Sequence, residues 1–127
     1  MERISAAKEG GDLTLIGYGI LINELLEAAA RLEKCGISAK VLKLSRIDSI
    51  DTALLESMLP PAGKVIVAED CVETGSVGEF IAANLQGHTV QLVNLGRQGF
   101  VRQGSVRQQW RACGIDAESI AKKAAER

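Results

Sequence analysis

The stretch from Val65 to Phe80 constrains the fold of this chain more than any other. It begins with the β-branched run Val65 to Val67, which has no alternating polar face and is typical of a parallel strand covered on both sides. An acidic turn containing Gly75 follows, and then a helix is predicted over residues 76–85, closed by Gly87. A buried strand, a turn and a helix in this order are the repeating unit of an α/β fold.

The same unit recurs along the chain. Strands are predicted over residues 13–16, 39–44, 65–68 and 89–95, and helices over residues 21–32, 53–59, 76–85 and 106–113. Asp116 is predicted to cap a last helix that runs through Ala125. Gly36 is predicted to end the first helix as a left-handed cap, and Asp48 or Asp51 to cap the second. The pattern predicts an α/β fold with a three-layer, doubly wound, mostly parallel sheet.

In that sheet we expect the four strands in the order 2-1-3-4, so that the first strand lies between the second and the third. Lys40 and Lys43 place the second strand nearer a sheet edge than its neighbours. Residues 1–10 are expected to form a linker or a short edge strand, and residues 11–127 a single domain.

Composition excludes several classes of function. The net charge is −1 and only 3% of residues are aromatic, so we expect no nucleic-acid partner. Cys35, Cys71 and Cys113 lie singly, which argues against a disulfide framework and a zinc site. No apolar run approaches the roughly 20 residues that span a bilayer, and no secretory signal is evident. We expect a soluble, cytoplasmic protein with no membrane partner.

Ligands of doubly wound sheets lie at the carboxyl ends of the strands, where the strand order reverses. The reversal here places two turns on opposite sides of one crevice: Gly17-Tyr18-Gly19, the glycine lip, and residues 69–76, the acidic lip. Because Ile22 stands where a dinucleotide fingerprint has its third glycine, the sequence predicts no close helix-to-strand approach of that kind. A tight turn is the simpler interpretation of the glycine lip.

Charged residues near the same edge have more than one interpretation. Glu69, Asp70 and Glu73 beside a helix amino end form a capped, solvated turn, or else Glu69 contacts a neighbouring domain or subunit. Metal binding is a weaker alternative, because no histidine accompanies the carboxylates. Arg97 and Arg102, with Gln103 beside them, flank a loop before a predicted helix and are either solvated or in contact with an interface or an anion.

Five segments in fixed order carry a resemblance. They are Gly-Asp-Leu-Thr-Leu-Ile-Gly-Tyr-Gly at 11–19, Asp-Ser-Ile-Asp at 48–51, Val-Ala-Glu-Asp with Gly75, Asn-Leu-Gly at 94–96 with Phe100 and Gln-Gly-Ser at 103–105, and Cys-Gly-Ile-Asp at 113–116. They resemble the carboxy-terminal domain of the transketolase superfamily, most of all 1-deoxy-D-xylulose-5-phosphate synthase.

The resemblance implies a fragment of a thiamine-diphosphate-dependent transferase, inactive alone. The parent enzyme would transfer a two-carbon unit from pyruvate to glyceraldehyde 3-phosphate with loss of carbon dioxide, a step of isoprenoid biosynthesis. Thiamine diphosphate and magnesium would be held by amino-terminal and middle domains, which are this domain's expected partners in a homodimeric parent. No catalytic, cofactor-binding or metal residue is therefore assigned. The domain-interface candidates are Gly17, Tyr18, Gly19, Glu69, Asp70, Glu73, Arg97, Arg102 and Gln103.

A second hypothesis comes from another class of protein. It takes the chain as a free-standing flavodoxin-like module that binds a small anion or a nucleotide in the crevice between Gly17 and Glu69, helped by Arg97. The carboxylates of the acidic lip disfavour a phosphate at that position.

Overall fold

A five-stranded sheet forms the centre of the molecule. The computed structural model describes residues 4–19, 21–45, 50–59, 64–69, 77–85, 89–93 and 117–125. The strands are β1 (Ile4–Lys8), β2 (Leu13–Gly17), β3 (Ala39–Leu44), β4 (Lys64–Ala68) and β5 (Thr89–Val93). The described helices are α1 (Leu21–Lys34), α2 (Thr52–Ser57), α3 (Val77–Asn84) and α4 (Ala117–Ala125).

The strand order is β1-β3-β2-β4-β5. Strands β3, β2, β4 and β5 run parallel, with Leu15 of β2 paired to Val41 of β3 on one side and Ile66 of β4 on the other. The predicted order of these four strands is confirmed. The order reverses between β2 and its neighbours β3 and β4, which places the predicted crevice at the carboxyl ends of β2 and β4.

Two apolar cores, one on each face of the sheet, make the fold three-layered. The first core joins alternate residues of β2, β3 and β4 to α1 and α4, and Leu15, Leu25 and Ile120 are fully buried in it. The second core joins the other residues of these strands to α2 and α3, and contains Ile16 and Ile81. Burial on both faces explains why β4 reads as a continuous apolar run from Val65 to Ala68.

The amphipathic pattern of α1 and its end signal act as predicted. The helix continues two residues beyond the predicted limit and ends in a Schellman motif, in which Ile37 N–H donates to Leu32 C=O (2.9 Å) and Gly36 N–H to Glu33 C=O (3.0 Å). Gly36 has φ +84°, the left-handed conformation that the motif requires.

Helix α2 is capped by Asp51, one of the two residues predicted for that position. The Asp51 side chain accepts a hydrogen bond from Leu54 N–H at 3.0 Å, which satisfies one of the free amides of the first turn. The helix spans residues 52–57 rather than 53–59, and Met58 is its carboxyl cap.

Strand β1 lies within residues 1–10, for which the sequence predicted either a linker or a short edge strand. It pairs antiparallel with β3, Ile4 against Leu44, with a bulge between Ala6 and Lys8. Strand β3 is therefore second from the edge, and within it Lys43 is exposed whereas Val41 and Leu42 are fully buried.

Several predicted features fall outside the described residues. They are the cap Asp48, Gly87, the end of the strand at 94–95, the helix over 106–113, the cap Asp116, and the cysteines Cys71 and Cys113. Cys35 is a free, exposed thiol.

Candidate functional site

The crevice at the carboxyl ends of β2 and β4 is bridged by a hydrogen bond between its two lips. Tyr18 follows β2 and Glu69 follows β4, and these strands are parallel neighbours in register, Ile16 against Val67. The Tyr18 hydroxyl donates to Glu69 Oε2 at 3.1 Å. Two residues 51 positions apart in the chain are thereby brought together, as the predicted crevice requires.

Glu69 is buried, with only 1% of its surface exposed. A buried carboxyl group is costly unless hydrogen bonds replace its lost water, and the Tyr18 hydroxyl supplies one of these. Because Glu69 is buried within this chain, the interpretation of the first acidic residue as part of a solvated turn is wrong.

Tyr18 is half-buried and its ring packs against the second core. The aromatic body is thus held by apolar contacts while the hydroxyl reaches the acidic lip. Tyr18 and Glu69 thus link the ends of β2 and β4 through one hydrogen bond.

Gly17 allows α1 to approach β2 closely. A Cβ atom at this position would lie 2.6 Å from Leu25 Cδ1, well inside van der Waals contact. The prediction that this turn provides no close helix-to-strand approach is therefore wrong: the first glycine of the turn provides it, and no glycine is needed at Ile22. Gly19 has φ +65° and its carbonyl accepts from Ile22 N–H (3.3 Å), which turns the chain into α1.

The described part of the chain contains four of the nine candidate interface residues: Gly17, Tyr18, Gly19 and Glu69. The other five lie outside it: Asp70, Glu73, Arg97, Arg102 and Gln103. Their place relative to the crevice stays a prediction.

No group of three His, Cys, Asp or Glu side chains in the described segments could hold a metal ion. The described residues also include no helix that is both long and apolar enough to span a membrane.

A second buried carboxylate, missed by the sequence interpretation, joins α1 to α4. Glu24 is 5% exposed and its Oε2 accepts from Ala117 N–H at 3.3 Å, at the first residue of α4. The sequence could have indicated that Glu24 is buried, because position 24 lies between Leu21 and Leu25 on the apolar face of α1.

Asp12, part of the first segment of the resemblance, lies at the opposite edge of the sheet from the crevice. Its Oδ2 accepts from Ser38 N–H at 2.6 Å, while Asp12 N–H donates to Ser38 C=O at 2.8 Å. This reciprocal pair ties the start of β2 to the start of β3, so the role of Asp12 here is structural.

Comparison with protein families gives a match to the model described as "Transketolase, C-terminal domain" over residues 3–120. The chain is 36% identical over 83 residues to the pyruvate dehydrogenase E1 component subunit beta of Staphylococcus epidermidis, covering 65% of this chain and 26% of that one. It is also 36% identical over 81 residues to the 2-oxoisovalerate dehydrogenase subunit beta of Bacillus subtilis, covering 64% and 25% respectively.

Solved structures agree with the fold. A split gene transketolase, solved as an inactive beta4 tetramer, superposes with a TM-score of 0.79 at 29% identity over 96% of this chain and 42% of that one. A transketolase of Pichia stipitis superposes with a TM-score of 0.71 at 18% identity, over 97% of this chain and 17% of that one. The chain thus spans about a quarter of the length of its curated relatives.

Proposed function

Since the chain belongs to the transketolase C-terminal domain family, we propose that it acts as the C-terminal domain of a thiamine-diphosphate-dependent enzyme. The observation that carries this proposal is the family match over residues 3–120, in a chain that spans only 26% of a pyruvate dehydrogenase beta subunit. In this role the domain packs against the rest of the enzyme and is inactive alone. Residues 11–127 make up the domain, and β1 completes its sheet.

The interface with the rest of the enzyme lies, in this proposal, along the carboxyl edge of the sheet. The hydrogen bond between Tyr18 and Glu69 supports it, because a crevice already bridged by its own side chains suits packing better than ligand binding. The contact residues of the proposed interface are Tyr18, Gly19, Asp70, Glu73, Arg97, Arg102 and Gln103. Gly17 and Glu69, which are buried within the chain, belong to it as the residues that position Tyr18.

The cofactor belongs to other domains in this proposal. Thiamine diphosphate and magnesium need a diphosphate-binding segment, and the Gly-Asp-Gly motif followed by Asn is absent from the 127 residues. Among the described side chains, no metal-binding group of three is found either. The proposed partners are the thiamine-binding domains, on the same polypeptide or on separate subunits, within a cytoplasmic homodimeric enzyme.

Pyruvate is the donor we propose for the parent enzyme. The sequence segments resemble 1-deoxy-D-xylulose-5-phosphate synthase, for which pyruvate donates the two-carbon unit, and one curated relative is named as a pyruvate dehydrogenase subunit. The two branches share this donor and differ in the acceptor. The relatives at 36% identity favour the 2-oxo acid dehydrogenase branch, whereas glyceraldehyde 3-phosphate as acceptor rests on the resemblance of the motifs alone.

The rival hypothesis of a flavodoxin-like binding module is less well supported. An anion between Gly17 and Glu69 would meet a carboxyl group at the position where it needs donors, and the nearest hydroxyl, that of Tyr18, already donates to that carboxyl. A small anion or nucleotide that bound tightly in calorimetry would nevertheless restore this hypothesis.

A direct assay tests the proposal that this domain is inactive alone and that other domains bind the cofactor. The purified chain is mixed with thiamine diphosphate, magnesium, pyruvate and glyceraldehyde 3-phosphate, and product is measured alongside calorimetric binding of the cofactor. We expect neither product nor heat of binding. Turnover by the chain alone would contradict the proposal that the domain is inactive in isolation.

A further inference from the structure

Strand β1 is attached to the edge of the sheet with little buried surface. Of its five residues only Ile4 is buried, in the second core, while Ala6 and Ala7 are exposed. In the described part of the chain β1 pairs with β3 alone, and a bulge between Ala6 and Lys8 interrupts that pairing. Elements with few buried apolar contacts and exposed backbone hydrogen bonds are those that open locally while the rest of a fold persists.

Two ion pairs at the end of β1 reach opposite faces of the sheet. Lys8 Nζ lies 3.4 Å from Glu33 Oε2 of α1, the helix that covers the first core. One residue later, Glu9 Oε1 lies 3.4 Å from Lys40 Nζ, which also donates to Met58 C=O (2.7 Å) at the carboxyl end of α2, beside the second core. Two neighbouring residues thus fasten the strand to both helical layers.

Both ion pairs are open to solvent on their acidic side. The side chains of Glu33 and Glu9 are 66% and 80% exposed. Exposed ion pairs contribute little individually, and salt screens them over a Debye length of about 8–10 Å at physiological ionic strength. The hold of the two pairs on β1 therefore weakens as ionic strength rises, whereas the apolar contacts of Ile4 carry no charge that salt could screen.

Gly10 packs the connection from β1 to β2 against the backbone of β3. A Cβ atom at position 10 would lie 2.7 Å from Lys40 N and closer still to the carbonyl group of Ala39, and no change of rotamer can move these backbone atoms away. At Gly11 a Cβ atom would meet nothing within 4 Å, and Gly11 N–H donates to Ser38 Oγ at 3.3 Å. The two glycines thus mark the fixed end of β1.

We propose that residues 4–9 form a strap that releases from β3 as a unit while β2, β3, β4 and β5 stay paired, and that ionic strength sets how often it is released. When closed, the strap covers main-chain donors and acceptors of β3 that would otherwise form an open sheet edge. When released, it exposes that edge and the place of Ile4 in the second core. The strap belongs to this chain alone, so its release is independent of the enzyme that carries the domain.

Amide hydrogen exchange of the full 127-residue chain at increasing sodium chloride concentration tests the strap. After correction for intrinsic rates, we expect the hydrogen-bonded amides of β1 to exchange at least about 10-fold faster than those of β2 and β4. Between about 0.02 and 0.5 M salt they should accelerate by a further factor of about 2 to 10, while the amides of β2 and β4 should not follow. Equal protection of β1 and β2, or salt-independent exchange of β1, would overturn the proposal.

Substitutions separate the parts of the strap. Gly10→Ala places a methyl group against backbone atoms and should speed β1 exchange at least about 5-fold, whereas its matched control Gly11→Ala should not speed it. Glu9→Gln removes one ion pair and should speed β1 exchange by about 1.5- to 5-fold and reduce its salt dependence. Its control Glu56→Gln, at an exposed position of α2, should change neither. Glu9→Gln keeps the test valid if Gly10→Ala disturbs folding, and identical behaviour of the two glutamine variants would contradict the proposal.

A reversible disulfide tests whether the salt response comes from release of the strand. Ser5 of β1 is paired with Lys43 of β3, and opposed residues of antiparallel strands are close enough for a disulfide. In the double variant Ser5→Cys and Lys43→Cys, the oxidised form should lose the salt dependence of β1 exchange, and reduction should restore it. An oxidised form whose β1 amides still respond to salt would overturn the proposal.

Discussion

At the scale of single residues, Gly17 determines how close the first helix comes to the sheet. It ends β2, and Leu25 of α1, fully buried, occupies the space that a side chain at position 17 would need. Protein interiors are close-packed, so an added methyl group can be accommodated only by movement of Leu25 or of the whole helix. The same glycine also starts the turn that carries Tyr18 to the crevice.

Replacing Gly17 with alanine should therefore destabilise the domain by about 1–3 kcal/mol, the usual cost of overpacking a core. The control is Gly11→Ala, where a Cβ atom would meet nothing within 4 Å. That substitution should be neutral or stabilise by up to about 1 kcal/mol. Urea unfolding of both variants measures the difference, and equal stabilities would show that α1 does not press on Gly17.

The hydrogen bond between Tyr18 and Glu69 makes a separate prediction. Tyr18→Phe keeps the ring that packs on the second core and removes only the donor to a buried carboxyl group, at an expected cost of about 1–3 kcal/mol. A double-mutant cycle with Glu69→Gln should give a coupling free energy on the order of 1 kcal/mol. Additive effects of the two substitutions in urea unfolding would mean that the lips of the crevice are not coupled.

At the scale of elements, helix α4 is held at both ends by charged side chains from distant parts of the chain. Glu24 of α1 accepts from Ala117 N–H at its amino end, and Lys64 Nζ of β4 donates to Lys123 C=O at 3.1 Å at its carboxyl end. A carboxylate at the amino end and an ammonium group at the carboxyl end both match the helix dipole. The two contacts supplement the apolar seam between α1 and α4.

Glu24→Gln should lower the free energy of unfolding by about 0.5–2 kcal/mol, since the neutral amide keeps the shape but loses the interaction with the helix dipole. Glu33→Gln, which removes the same charge from an exposed position of the same helix, should change it by less than about 1 kcal/mol. Thermal unfolding, with hydrogen exchange of the α4 amides, distinguishes the two. A larger effect at Glu33 than at Glu24 would refute the role assigned to Glu24.

Most elements could be predicted because their determinants are local. The apolar runs of β2 and β4, the 3.6-residue period of α1, Gly36 and the cap Asp51 each act within a few residues of their position in the chain. Strand β1 left two interpretations open because its small residues carry little pattern, and its pairing with β3 depends on contacts about 40 residues away.

At the scale of the whole molecule, the position of the crevice could be predicted from the strand order. The packing of the side chains around it could not. The strand order, with right-handed crossovers, brings the ends of β2 and β4 together from the sequence alone. The burial of Glu69, its bond to Tyr18 and the approach of Leu25 to Gly17 depend on side chains from separate elements. The family assignment came from the order of several weak motifs, and the branch within the family did not follow from them.

The central claim is that this chain works as part of a thiamine-diphosphate enzyme. It is tested most directly by immunoprecipitating the polypeptide that carries this sequence from source cells and measuring bound thiamine diphosphate by thiochrome fluorescence. We expect cofactor in the precipitate, associated with a polypeptide much larger than 127 residues or with separate subunits that bind it. A precipitate that contains this chain alone, without thiamine diphosphate, would contradict the claim.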